Sequence, residues 1–453
     1  MIKIIIPNNN IQERKYIIDI LFNEFLNLDY EVIINSKSDN WNIELYNGNK
    51  LIIKDAFFNK YPNNLEYLKE ENIPIKVEFG KNDFIVEDDI PIIYGNDRII
   101  VKSDNDRKII ECGLDIFASS FFMLSRWEEY VNKIRDNHKR FPATESLAYK
   151  NNFLNRPIVN EYIEMFWNML NFLGYNQKRK KHIFKIYPTH DIDHIYAWKS
   201  FKNLLMMLYI DSKRKFSIQN ILKNFKYYYL YKMDKIKDPY DTFELIMDLS
   251  EKYDLKSYFF FMGKGVTKYD NSYNSKDLNL IKNINKIKKR GHYIGIHPTY
   301  NAFNNKKQLS QEKNELEKNF NTKIEFGREH YLRFEVPLTW QIWEDNNMKW
   351  DSTMNYSGYD GFRCGVCYEY SVFNILTQKK LNLREKPLIL MDANSIDKLT
   401  NSQMKNNVLH LIQKVKKYNG DFVFLWHNSS FNSLKWNEFD DIFEYILSFN
   451  KDK

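Results

Sequence analysis

Cysteine is scarce in this chain: Cys112, Cys364 and Cys367 are the three among 453 residues. So low and odd a count excludes a disulfide framework and fits a reducing compartment. Cys364-Gly365-Val366-Cys367 has the spacing of half a zinc ribbon or of a redox pair. It has no second pair and no thioredoxin-like surroundings, so both are read as incidental thiols. Also missing is any run of the ~18–20 apolar residues that a membrane span needs. The opening Met1-Ile2-Lys3-Ile4-Ile5-Ile6-Pro7 is too brief for a signal sequence and reads as a short strand. A cytoplasmic location is the resulting expectation, with peripheral contact to a membrane left open. No Gly-rich phosphate loop or dinucleotide fingerprint is present.

What is there is ordinary in bulk. Hydrophobic residues make up 43% and charged residues 28%, as in folded globular proteins, and the length suits two domains or three. The net charge of +8 suits an acidic partner such as nucleic acid, an anionic glycan or a membrane surface. The alternative, which we adopt, is a compositional bias, because Lys and Asn are scattered throughout and Ile and Tyr are equally abundant. No nucleic-acid partner is therefore expected. One dense basic run, Lys178 to Lys181 beside Gln177, falls where a linker is placed, near residue 180.

Before that point strand and helix patterns alternate irregularly. Residues 2–6 read as a strand and 15–28 as an amphipathic helix. Asn47-Gly48 signals a hairpin between 43–46 and 51–53. A second hairpin is expected around Gly95-Asn96-Asp97, and helices over 110–131 and 158–173. From residue 183 the alternation becomes regular. Strands are expected at 183–187, 257–261, 293–296, 326–334, 349–354, 388–391 and 422–426. Helices are expected at 242–253, 278–289, 311–320, 338–346, 403–417 and 437–447, with a polar and aromatic insertion at 196–238. Seven strands alternating with helices imply a parallel sheet, and a (β/α) barrel gathers its chemistry at the carboxyl ends of its strands.

Three such ends carry ligand-type residues: Thr189-His190-Asp191-Ile192-Asp193-His194, Gly295-Ile296-His297-Pro298-Thr299-Tyr300-Asn301 and Leu425-Trp426-His427-Asn428. Asp191 and Asp193 share a face, since strand side chains repeat with period two. Two carboxylates at a buried strand end are costly unless they bind a metal or transfer protons. The bland alternatives are a solvated strand end for the aspartates, a helix cap for His297 and a core position for His427. His292 reads as a turn residue, and His190, His194 and His330 stand in reserve as ligands.

In this order these segments resemble the polysaccharide deacetylase (NodB-homology) superfamily, the family-four carbohydrate esterases and their relatives. The family's first motif, a strand ending Thr-Phe-Asp-Asp, is similar to Thr189-His190-Asp191-Ile192-Asp193, a Thr-His-Asp-x-Asp variant. The second, a His-Ser/Thr-x-x-His after a Gly-His-Glu-Ile-Gly strand, resembles Gly291 to Asn301, with Asn301 at the second histidine position. Arg333-Phe334-Glu335-Val336-Pro337, Trp350-Asp351 and Leu425-Trp426-His427 resemble the remaining three. Residues 1–180 look like an uncharacterised α/β domain that precedes such enzymes, most visibly at Phe122 to Tyr130. The resemblance implies a distorted seven-stranded (β/α) deacetylase barrel over 181–453, after a smaller α/β domain.

It further implies a hydrolase acting on an amide: a deacetylase for an amino sugar or surface-glycan precursor, lipid- or nucleotide-linked. Asp191 would be the base and His427 the acid, with Arg333 and Asp351 holding their protonation states. Asp193, His297 and Asn301 would hold a divalent metal, zinc by expectation, with cobalt, nickel or iron as alternatives. Tyr300, Trp340, Trp426 or Tyr359 would stack on the sugar. Two other readings stand beside it: a catalytically silent glycan-binding or scaffolding barrel, which the Asn301 departure motivates, and an amidase for a non-sugar substrate. For the cysteines, replacing Cys364 and Cys367 together by Ser is expected to leave metal content and folding nearly unchanged, as metal analysis and thermal melting would show.

Overall fold

Alternating apolar residues between Ile2 and Leu114 build a six-stranded sheet. The computed structural model describes residues 1–104, 107–214, 218–270, 273–395, 398–431 and 439–451. Its first strands are β1 (Ile2–Ile6), β2 (Tyr30–Ile34), β3 (Asn40–Glu44) and β4 (Lys50–Lys54). The short β5 (Glu78–Gly80) and β6 (Ile90–Ile92) pair only with each other, and β7 (Gly95–Asp104) and β8 (Arg107–Leu114) complete the set. The spatial order is β2-β1-β3-β4-β8-β7. The Asn47-Gly48 hairpin forms between β3 and β4, with Gly48 at φ 83, where side chains are disfavoured.

The second expected hairpin does not form. Gly95-Asn96-Asp97 lies inside β7, where a register shift between Gly95 and Ile99 absorbs it, and β7 pairs with β8 instead. The long helix expected over 110–131 is likewise divided. Its first residues belong to β8, and the helix Ile116–Ser125 begins only after Asp115, whose carboxylate accepts Ala118 N–H at 3.0 Å. Arg126, at φ 53, then breaks it from Trp127–Val131. The helix expected from residue 15 starts earlier, as Ile11–Ile18, and continues as a π-helix over Asp19–Phe25.

The second sheet has nine strands: β9 (Lys185–Ile192), β10 (Tyr258–Phe261), β11 (Tyr293–Ile296), β12 (Phe326–Gly327), β13 (Trp350–Asp351), β14 (Tyr370–Asn374), β15 (Lys379–Glu385), β16 (Leu390–Met391) and β17 (Asp421–Leu425). Their order is β14-β15-β13-β12-β11-β10-β9-β17-β16, and every pairing except β14 with β15 is parallel. From β9 the sheet runs through β10 to β13 one way and through β17 to β16 the other. That is the cyclic order of a distorted (β/α) barrel, open between β16 and the β14–β15 hairpin. The hairpin is the addition to the seven expected strands. The helices Phe243–Lys252, Leu278–Lys289, Lys306–Phe320, Leu338–Asp345, Asn401–Lys417 and Asp440–Ser448 alternate with the strands; the start expected at residue 437 lies outside the described residues.

Register fixes what fills the barrel. Asp191 pairs with Phe260 and Phe260 with Gly295, so these residues point to one face, as do Tyr187, Thr189, Tyr258 and Tyr293. The lower interior is an aromatic stack: Tyr258 lies on Tyr293 at 4.4 Å and Phe326 on Trp350 at 4.7 Å between ring centroids. A side chain on Gly295 would come within 2.6 Å of the Phe326 carbonyl, so the stack demands glycine there. Above this floor the same face turns polar at Thr189, Asp191 and His297.

The amino-terminal region covers the barrel's open edge. Tyr370 donates to the Leu124 carbonyl at 2.9 Å, Tyr16 to Ser371 at 2.9 Å, and Phe121 meets Phe373 at 5.7 Å. β14 is thereby buried along its whole length, which protects an edge strand from stray pairing. One apolar core runs from Ile2 to Leu447. Cys364 and Cys367 lie fully in it, with both thiols pushed up by burial. Serine hydroxyls there cost about 1–3 kcal/mol each if unpaired, so burial corrects the expectation of nearly unchanged folding: the double substitution should lower the melting temperature, with metal content still expected to be unchanged.

A buried ion cluster joins the two sheets. Arg126 and Arg363 both donate to Glu129 Oε1 at 2.9 Å, and Arg126 also donates to Tyr356 at 3.0 Å. Burial opposes the charge on Glu129, but the two guanidinium groups win and bring its pKa down to about 2. Its stabilisation is therefore present above the unfolded carboxylate value of about 4.3 and is lost as pH falls toward 2. Glu129→Gln is expected to cost about 3–5 kcal/mol at pH 7. Denaturant titrations should show the gap to wild type closing as pH falls below 4.

Candidate functional site

The carboxyl end of β9 places Asp191 inside the barrel mouth, and Asp193 follows on the same side. Asp191 is held by Arg328, which donates to its Oδ1 at 2.8 Å. The same guanidinium donates to Thr189 Oγ1 at 2.9 Å and to the Ser352 carbonyl at 2.7 Å. Arg328 is wholly buried and Asp191 nearly so. Charge-assisted bonds of this kind fix a carboxylate's orientation.

Asp193 is the centre of an imidazole cluster. Its Oδ1 lies 3.3 Å from His297 Nε2 and 3.5 Å from His330 Nε2, and its Oδ2 3.7 Å from His427 Nε2. Burial pushes the Asp193 carboxyl up, but His297 beside it and the charges of His330 and His427 hold it well below the usual range. His297 Nδ1 donates to the Arg328 carbonyl at 2.7 Å, which leaves its Nε2 lone pair toward Asp193. His330 Nδ1 faces Asp270 Oδ1 at 3.5 Å. Asp270 is itself fixed by N–H bonds from Tyr300 and Thr267, each 2.7 Å.

Asp193, His297 and His330 each offer a ligand atom, all within 4.8 Å of one another. Asp193 Oδ1 is buried and makes no hydrogen bond among the described residues. Burial disfavours charge on His297, yet Asp191 and Asp193 outweigh it and raise its pKa. The carboxylates thus call for a cation at this point. One carboxylate and two imidazoles, with outer partners orienting the rings, fit a divalent metal with an open position.

His427 stands opposite, at the end of β17. Its Nδ1 pairs with Asp392 Oδ1 at 2.8 Å and its backbone N–H with Oδ2 at 2.7 Å; Ser430 adds a 2.6 Å bond to Oδ2. Burial would lower the His427 pKa, but Asp392, aided by Asp193 and Asp191, raises it to about 10.

Several expected residues are elsewhere. Asn301 is exposed, and its side chain accepts from Arg333 at 3.2 Å; His330, not Asn301, stands with Asp193 and His297. Arg333 faces away from Asp191: it bonds the Tyr300 carbonyl and the His138 carbonyl, the latter at 2.9 Å, and Arg328 does the holding. Asp351 is buried against Thr353 at 2.6 Å, with its pKa raised to about 6 by burial, while Asp392 pairs with His427. Trp340 and Trp426 are fully buried, the first donating to Glu385 at 3.0 Å. Tyr300 is packed under His138, and Tyr359 against Tyr149.

The cause for His330 is local. The strand expected over 326–334 ends at Gly327, and a turn over His330–Leu332 holds Tyr331 and Leu332 at φ 60 and 54. Such strain concentrates at functional sites. Asp392 follows β16 directly, the same strand-end signal that exposed Asp191 and His427.

The site opens into a cavity of about 300 Å³, lined by the cluster and by Tyr269, Tyr331 and Arg140 of the amino-terminal region. A larger cleft, about 520 Å³, lies beside Lys178–Lys181. It lacks a ligand cluster among the described residues, so the chemistry places the site in the smaller one.

A family model described as "Family of unknown function (DUF7033)" matches residues 2–175. No curated protein matches the sequence. Solved structures similar to this chain include a candidate polysaccharide deacetylase from Mycobacterium smegmatis, 11% identical over 60% of this chain and 87% of that one, with a TM-score of 0.37. The Bc1960 peptidoglycan N-acetylglucosamine deacetylase is 14% identical over 59% and 82%, with a TM-score of 0.31. The catalytic domain of a peptidoglycan N-acetylglucosamine deacetylase from Eubacterium rectale is 12% identical over 59% and 84%, with a TM-score of 0.29. Likeness at this level has no bearing on activity.

His330→Ala is expected to weaken zinc binding by more than about 100-fold, since it removes a ligand and not merely an outer partner. Asn301→Ala should change it less than about twofold. Calorimetric titration of the metal-stripped protein compares the two, and the reverse order would reject the ligand set.

Proposed function

We propose that this chain is a divalent-metal-dependent hydrolase that removes an acetyl or similar acyl group from an amino sugar or surface-glycan precursor. Membership of the polysaccharide deacetylase superfamily, in its Thr-His-Asp-x-Asp subgroup, belongs to the same proposal. So does the division into an α/β unit over 1–180 and a barrel over 181–453. The observation that carries it is the buried, unbonded Asp193 Oδ1 between two imidazoles, flanked by an arginine-held Asp191 and an aspartate-held His427.

Asp193, His297 and His330 would hold the cation. When bound, it acidifies a water and polarises a carbonyl. Asp191, 3.8 Å from the His297 ring, is placed to accept the proton that a nucleophilic water gives up. Arg328 keeps its carboxylate oriented for that transfer. His427, kept protonated by Asp392, is placed to deliver a proton from Nε2 to the leaving nitrogen. The two proton-transfer groups differ in the sign of their fixed partners, which is the arrangement a base and an acid need. Tyr269 and Tyr331 supply ring faces for a sugar, and Arg140 a charge at the rim.

The alternative is a catalytically silent glycan-binding or scaffolding barrel, which the Asn301 departure motivates; His330 beside Asp193 and His297 supports the hydrolase reading over it. No helix among the described residues is long and apolar enough to cross a membrane. A cytoplasmic site of action and a lipid- or nucleotide-linked substrate belong to the proposal.

Asp191→Asn is expected to retain metal and lose about 10²–10⁴-fold in kcat, read by acetate release from acetylated amino sugars beside metal analysis. Asp392→Asn removes the charge that keeps His427 protonated, so the alkaline limb of the kcat/KM profile should move to lower pH. An unmoved limb would reject His427 as the acid.

A further inference from the structure

The insertion that follows Asp193 and His194 folds as two helices, Phe201–Arg214 and Ile218–Lys232. They carry a small core of their own. Trp198, Leu204 and Leu208 are buried, with Ile221, Tyr228 and Tyr231 packed on them, apart from the main core. The outer face is also apolar. Phe201, Leu205 and Tyr209 are 52, 46 and 57% exposed, and Ile218, Leu222 and Phe225 are 64, 63 and 37% exposed. The first three recur every four residues, and the second three at four and three, so each set forms one stripe. The stripes meet, because the Phe201 and Phe225 rings lie 6.2 Å apart.

Charge concentrates in the same place. Residues 195–240 contain ten Lys and Arg, three Asp and no Glu, which leaves 57 basic against 56 acidic residues in the rest of the chain. Nearly all of the net +8 therefore belongs to this insertion. Lys202, Lys223 and Lys226 are exposed around the apolar stripes. The scattered-lysine account of the charge fails here.

We infer that this helical hairpin docks on an anionic lipid surface and presents the site to it. An exposed apolar stripe rimmed by lysines matches the acyl boundary beneath and the anionic headgroups around it. A second copy of the chain would set like charge against like, and the polar outer surface of nucleic acid offers no continuous apolar layer for two whole stripes to bury against. The root of the hairpin is tied down by hydrogen bonds. Asp238 accepts from Ala197 and Trp198 N–H at 2.8 and 2.9 Å, and Asn428 donates to the His194 and Tyr240 carbonyls at 2.7 and 2.9 Å. His194 lines the cavity of the site, so a docked hairpin brings the cavity mouth near the bilayer. The substrate class this placement serves is a glycan carried on a membrane-embedded lipid. The docking itself stands independently of the reaction assigned above.

The test is flotation of the full chain with vesicles of phosphatidylcholine alone or with about one third phosphatidylglycerol. Binding to the anionic vesicles, weakened by added salt, is expected. Leu205→Ser with Leu222→Ser should weaken it roughly tenfold or more, and so, in a separate variant, should Lys223→Glu with Lys226→Glu. Neither pair lines the cavity, so turnover of a soluble acetylated sugar should be unchanged in both. Failure of the wild type to bind anionic vesicles would overturn the inference, as would equal binding by all three proteins. Self-association that the leucine substitutions abolish, without vesicle binding, would also overturn it in favour of a dimer.

Discussion

The Arg328–Asp191 pair, 2.8 Å apart in the barrel mouth, is the contact on which the site depends. Asp191 and Asp193 sit close together above an aromatic floor, and two uncompensated carboxylates in so dry a place would repel each other and attract protons. Arg328 compensates one of them permanently. The other, Asp193, is left to the imidazoles and to whatever cation they share. The same arginine residue orients the neighbouring imidazole: its carbonyl accepts His297 Nδ1–H at 2.7 Å. One residue thus fixes the Asp191 carboxylate and turns His297 Nε2 toward Asp193.

The sequence revealed the site where it followed strand periodicity and concealed it where the chain left that pattern. Asp191, Asp193, His297 and His427 are legible because each stands at or just beyond the carboxyl end of an apolar run, and parallel strands bring such ends together. Asp392 has the same signature, directly after the strand expected at 388–391, but its partner His427 lies on a different strand, and pairing between strands is not legible in one sequence. His330 stood only in reserve, and Arg328 went unnoticed, because a strand was expected through residue 334. The strand stops at Gly327, and the left-handed turn at Tyr331 and Leu332 has no glycine to announce it. Asn301 illustrates the converse error, since matching spacing to a motif does not guarantee a matching path of the backbone.

Fold-level expectations failed for a related reason. Gly-Asn-Asp can close a turn or make a bulge, and which it does depends on the partner strand; β8 pulled the segment into β7. The β14–β15 hairpin escaped notice because its strands are stabilised from outside, by Tyr16, Phe121 and Leu124 of the amino-terminal region. Propensity cannot register contacts 246 to 355 residues away in sequence, where tertiary packing overrides it.

The amino-terminal region therefore does two physical things for the barrel. It closes the open edge through β14 and the Arg126–Glu129–Arg363 cluster, and it reaches the site itself. The segment that carries His138 and Arg140 lies across the mouth: His138 Nδ1 meets Tyr300 at 2.9 Å, and Arg140 donates to the Tyr331 carbonyl at 3.0 Å. Tyr331 belongs to the strained turn that delivers His330. The bond from Arg140 fixes the carbonyl of a residue held at φ 60, and so helps to hold the turn whose first residue, His330, stands beside Asp193 and His297. A barrel without this region would lose both the cover of its seam and a brace on the turn that carries His330. The geometry of the Asp193–His297–His330 group is thus a property of the whole chain, although all three residues come from the second sheet's own connections.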